Sequence, residues 1–143
     1  MNLIVYIATR FTILGGFLLR AAGLRRDPFD YLRFSKGVIH IGAHTGQEAK
    51  LYAQYNLPVL WIEAVEEYYN RLVENIKSYP EQTAVNALLG SKNNQEVNFF
   101  VGDTLSSMYE IKDLQKIINA TGEFKKIIML TKTLDCILGS SKK

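Results

Sequence analysis

Gly42, Gly46 and Glu63 are the residues whose types and spacing suggest ligand chemistry. The glycines bracket Ala43-His44-Thr45, where the backbone can take positive φ or come close to a ligand. Glu63 follows about 20 residues after the first glycine, where nucleotide-binding βαβ units place a carboxylate for ribose hydroxyls. His44 stands where a dinucleotide-binding loop would have its second glycine, so no bare backbone is offered to a pyrophosphate. A nucleoside without phosphates remains compatible, and a Rossmann oxidoreductase is disfavoured. His44, in the loop, is the candidate base or cofactor contact, whereas His40 reads as a core histidine. No His/Cys/Asp cluster has metal-ligand spacing, so no metal is expected.

These residues need elements to hold them. Val38-Ile39-His40-Ile41 reads as a buried parallel strand, and Val59-Leu60-Trp61-Ile62 as a second that delivers Glu63 to the same sheet edge. Thr45 to Glu48 fits a capping box, with Thr45 as N-cap, which would start a helix at about Gly46 and run it to Tyr55. Asn56 and Pro58 end that helix. The spacing predicts a second helix over 65–79, burying Val65, Tyr68, Tyr69, Leu72 and Ile76 and leaving Glu66, Glu67 and Glu74 in solvent. Thr83–Leu89 and Glu96–Val101 read as strands, either paired as a hairpin or placed in different parts of the sheet. Glu110–Ala120 reads as an amphipathic helix, Lys125–Thr133 as a strand, and Thr133-Leu134-Asp135 as the start of a turn.

Taken together, Val38-Ile39-His40-Ile41-Gly42-Ala43-His44-Thr45-Gly46-Gln47-Glu48, Trp61-Ile62-Glu63-Ala64, Val85-Asn86-Ala87-Leu88-Leu89 and Thr133-Leu134-Asp135 resemble the FkbM family of S-adenosylmethionine-dependent methyltransferases. The resemblance covers roughly residues 37 to 138 in the family's order. It implies a Rossmann-like class I methyltransferase sheet with flanking helices, S-adenosylmethionine as methyl donor, and O-methylation of a sugar, glycan or small hydroxylated metabolite. By position, Gly42, Ala43, His44 and Gly46 would line the methionine part of the cofactor. Glu63 would hold the ribose, and Asn86-Ala87 would lie near the adenine. Ser106 and Ser107 match a serine-containing loop of the family. Many members carry an acidic residue at the position of His40. The family also continues past Thr-Leu-Asp with a Lys-Ile-Asp strand and a Gly-Ala-Glu helix start. The expected domain is therefore incomplete at its C-terminus, and an inactive fragment acting as a membrane-tethered interaction module is the alternative function. An oligomer in which a second copy supplies the missing strands stays open.

Composition sets the outer bounds. The 143 residues are 48% hydrophobic, enough for one domain with a core. The single Cys136 excludes an internal disulfide and fits a reducing, cytoplasmic setting. The net charge of +3 is uneven: residues 1–36 hold six basic and two acidic side chains, a balance of +4 that leaves −1 for the remainder. No basic stripe with interleaved aromatics crosses the domain, so nucleic-acid binding is unsupported. In the arm of residues 1–36, Leu3 to Leu24 reads as an apolar, amphipathic helix with Arg10 and Arg20 on its polar face. That pattern suits a membrane surface, with packing on the domain's own sheet or a tilted anchor as the alternatives, since the charges interrupt it before the roughly 20 apolar residues of a spanning helix. Residues 37–138 form the expected domain and 139–143 a tail.

Overall fold

The computed structural model describes residues 4–7, 29–102, 106–107 and 125–140. They divide into two compact units, residues 1–86 and 87–143. The first is a parallel α/β unit: β1 (Ile4–Ile7), β2 (Val38–Ile41), α1 (Ala49–Gln54), β3 (Val59–Glu63), α2 (Glu66–Ile76) and β4 (Gln82–Asn86). Its sheet has the order β1-β2-β3-β4, with every neighbouring pair parallel. Parallel neighbours need a crossover connection, and α1 and α2 provide two of them. The register pairs Ile7 with Ile41, Ile41 with Ile62, and Glu63 with Asn86. The ends of β2, β3 and β4 therefore share one edge.

Ile4–Ile7 is a strand, which corrects the helix expected from Leu3 onward at these four residues. Ile-Val-Tyr-Ile is β-branched and aromatic, and pairing along β2 favours such a run over a lone helix. The rest of that expected helix, like the helix expected over Glu110–Ala120, lies outside the described residues. Among the described residues no helix is long and apolar enough to cross a membrane.

The core of this unit forms around Trp61, which is fully buried, with Val38, Val59, Tyr52, Leu57, Leu72 and Ile76. Leu32 enters the same cluster from a 3-10 helix over Asp30–Phe34. Helix α1 begins later than expected. Its N-cap is Glu48 and no side chain caps it, so the Thr45 capping box does not form. The positive φ of His44 and Gly46 keeps the chain turning through Glu48 before helical geometry begins. The other end follows the expectation. Asn56 takes φ +52, its N–H reaches Ala53 O at 3.0 Å, and the Leu57 N–H reaches Tyr52 O at 3.2 Å. This is a Schellman closure with Asn in the left-handed position and buried Leu57 as its hydrophobic contact.

Helix α2 is shorter than the expected 65–79. It buries Leu72 and Ile76, half-buries Tyr68 and Tyr69, and exposes Glu66, Glu67 and Glu74. Val65 is its N-cap. Glu67 pairs with Arg71 at 2.6 Å on the solvent side, a contact of small energetic weight.

The expected strand Thr83–Leu89 is split. Gln82–Asn86 closes the first sheet, and Leu88–Leu89 is β5 of the second unit. That unit adds β6 (Glu96–Val101), β7 (Lys125–Lys132) and α3 (Leu134–Ser140) in a sheet of order β5-β7-β6. Strand β6 pairs antiparallel with β7, and β5 pairs parallel with β7, so the 83–89 and 96–101 runs do not form a hairpin together. Buried Thr131 anchors the turn between them. Its hydroxyl donates to Lys92 O at 2.6 Å, and its carbonyl accepts the Asn94 N–H at 2.8 Å. The stretch read as a turn and tail is helical through Ser140, because Thr133 Oγ1 accepts the Cys136 N–H at 3.2 Å and caps it.

Candidate functional site

Loop 42–46 connects β2 to α1. Gly42 and Gly46 sit at φ +70 and +71, and His44 between them at +50. Glycine bears that geometry freely, while at His44 it is strained. The two glycines differ in surroundings. Among the described residues a Cβ on Gly42 would meet nothing within 4 Å, whereas one on Gly46 would lie 2.5 Å from Leu72 Cδ1. Gly42 is thus uncrowded by the described residues, and Gly46 is packed against α2.

The end of β3 holds the loop. The N–H groups of Gly42 and Ala43 both donate to Ile62 O, at 2.9 and 3.2 Å. The His44 N–H donates to Glu63 Oε2 at 2.7 Å, and the Val65 N–H to Glu63 Oε1 at 2.8 Å. Glu63 is 6% exposed, and its carboxylate lies directly against the glycine-flanked loop. This is the juxtaposition expected from parallel strands ending on one edge. The sequence did not reveal that both oxygens already accept backbone donors. Such bonds depend on loop geometry and carry no spacing signal.

Helix α2 also touches the loop. The Tyr68 ring lies 4.1 Å from the His44 ring, centroid to centroid, and Asn75 Nδ2 donates to Thr45 O at 2.8 Å. His44 is half-buried, with Nδ1 at 3.3 Å from Thr45 Oγ1. Tyr68 read from the sequence as part of the apolar stripe of α2; its position seven residues before Asn75 on that helix was the available clue to a shared face.

Asn86 stands opposite Glu63 in the register and donates through Nδ2 to Glu63 O at 2.9 Å and to Ala64 O at 3.1 Å. Its side chain therefore fastens the end of β4 to that of β3. Ala87 belongs to the second unit and is buried. Ser106 and Ser107 also lie in that unit. Ser107 exchanges backbone hydrogen bonds with Phe100 at 2.8 and 3.0 Å, and Ser106 Oγ accepts the Gly102 N–H at 3.3 Å.

His40 lies away from this chemistry. It is 1% exposed, stacks on Trp61 at 4.7 Å, and has Nδ1 at 3.1 Å from the Tyr52 hydroxyl. Burial lowers its pKa from 6.5 to about 4. Among the described residues no group of three His, Cys, Asp or Glu side chains is placed to hold a metal ion.

Comparison with family models, curated proteins and solved structures found no match to this chain.

Proposed function

We propose that this chain is a methyltransferase of the FkbM type that binds S-adenosylmethionine on a Rossmann-like class I sheet and methylates a hydroxyl of a sugar, glycan or small metabolite. The observation that carries this reading is the Glu63 carboxylate set against loop 42–46 at the shared strand edge. A carboxylate has about four lone-pair sites, and two backbone donors leave room for hydroxyls of a ribose. Gly42, which no described residue crowds, suits the close approach of a ligand's methionine part. On this reading Glu63 holds the ribose, and Gly42 and His44, with the backbone of Ala43 and Gly46, line the methionine part. Within the same unit, Asn86 remains the adenine candidate from the resemblance.

Bound S-adenosylmethionine supplies a methyl group already activated on a sulfonium. The protein's work is then alignment and exclusion of water. His44 is the residue that could accept the acceptor's hydroxyl proton, since its ring stands on the loop beside the ligand's expected path.

A second reading rests on one observation. Glu63 satisfies both oxygens with backbone donors, as a purely structural carboxylate does. In that reading the chain is an inactive relative that works as an interaction module. Amide shift mapping with S-adenosylmethionine separates the two. The enzyme reading expects saturable shifts at residues 42–46, 63 and 86. Binding confined to other residues, or no binding, favours the module.

A further inference from the structure

The bonds around Glu63 assign it a role beyond contact with a ligand. Three successive N–H groups, those of Gly42, Ala43 and His44, donate to the last two residues of β3. The third of these bonds is the one made by a side chain, and it falls on the strained residue, His44 at φ +50. The other oxygen of the same carboxylate accepts the N–H of Val65, the residue that opens α2. Helix α2 in turn lays Tyr68 on the His44 ring, packs Leu72 behind Gly46 and donates from Asn75 to the Thr45 carbonyl. One buried carboxylate thus ties the loop after β2 to the helix after β3.

We propose that Glu63 is a positioning residue that presets loop 42–46 in its left-handed shape before any ligand arrives. Hydrogen bonds from backbone N–H to an ionised carboxylate are the stronger kind. They are suited to holding a residue in a conformation it would otherwise leave. The functional consequence rests on the proposed ligand reading. Ribose hydroxyls would share the two oxygens that hold the loop, so occupation of the ribose end is felt at His44, where the methionine part would lie.

The test begins without ligand. Glu63→Gln keeps the side-chain length but presents one acceptor and one NH2 group, so it can satisfy only one of the two backbone donors. Hydrogen exchange at the amide of His44 or Val65 should accelerate about tenfold or more. The amides of Gly42 and Ala43, held by Ile62 O, should keep their protection. Unchanged protection at both His44 and Val65 overturns the proposal, and so does loss at all four sites together, which would make Glu63 a residue of global stability. The wild-type protein offers a second readout that needs no substitution. The His44 and Val65 amides should show the shallow temperature coefficients of hydrogen-bonded donors, and steep coefficients at both contradict the latch. Adding S-adenosylmethionine afterwards keeps the questions apart, because a ligand that moves none of these signals removes the ligand reading and leaves the latch standing.

Discussion

His40 shows how one position can be read correctly for its burial while its partners stay hidden. A histidine between Ile39 and Ile41 on a buried strand is expected to need a polar partner, and the partner is Tyr52 of α1. Contact with Trp61 follows from the register that sets His40 beside it on β3. Burial makes the residue a source of pH dependence. The folded protein keeps His40 neutral down to about pH 4, while the unfolded chain takes up the proton near 6.5. The folded-state value is the lower one, so the full stability is present above pH 6.5 and is lost as pH falls toward 4. The loss reaches about 3 kcal/mol, order of magnitude. Urea unfolding at pH 7 and pH 4.5 should show it, and His40→Phe should reduce the difference between the two pH values. A variant with the same pH dependence as wild type would remove His40 as the cause.

At the scale of elements, the site depends on how loop 42–46 meets α2. Gly42 and Gly46 share a left-handed φ, so alanine at either position costs about 1–2 kcal/mol in backbone strain. Among the described residues only Gly46 adds a clash, with the fully buried Leu72. Gly46→Ala should therefore lose about 3 kcal/mol of stability, clearly more than Gly42→Ala. Thermal melts of the two variants decide it, and equal losses would mean that Leu72 moves aside. The same loop marks where the sequence was legible and where it was not. The apolar strands, the glycines and Glu63 at a strand end are periodic or positional signals, and they foretell that the carboxylate meets the loop. The start of α1 was misplaced because Thr45 to Glu48 satisfies a local capping pattern that the turn at His44 and Gly46 overrides.

Gln82 is another signal that local reading missed. It opens β4, is 6% exposed, accepts the Trp61 Nε1–H at 3.1 Å and donates to Ala49 O at 2.8 Å. Nothing in a polar residue preceding an apolar run announces a bridge between strand and helix. Gln82→Leu leaves the buried indole N–H of Trp61 unpaired and removes a side-chain bond to the Ala49 carbonyl. It should cost roughly 2–4 kcal/mol in chemical denaturation, although leucine is the more apolar residue. A neutral result would mean that water replaces the amide.

At the scale of the whole molecule, the chain divides after Asn86. The candidate loop and Glu63 lie in the parallel unit, while the serine pair and the Thr-Leu-Asp stretch of the resemblance lie in the other. The strand expected to run continuously from Thr83 to Leu89 is where the division falls, and a run of apolar residues gives no sign that its two ends join different sheets. On the proposed reading, Glu63 and loop 42–46 of the parallel unit form a seat for S-adenosylmethionine. Calorimetric titration of the full chain with S-adenosylmethionine, beside a Glu63→Ala variant, tests it most directly. Saturable one-site binding is expected in the wild type, with its loss in a variant that still unfolds cooperatively. A folded wild type that takes up no S-adenosylmethionine, or a variant that binds it equally well, would contradict the claim.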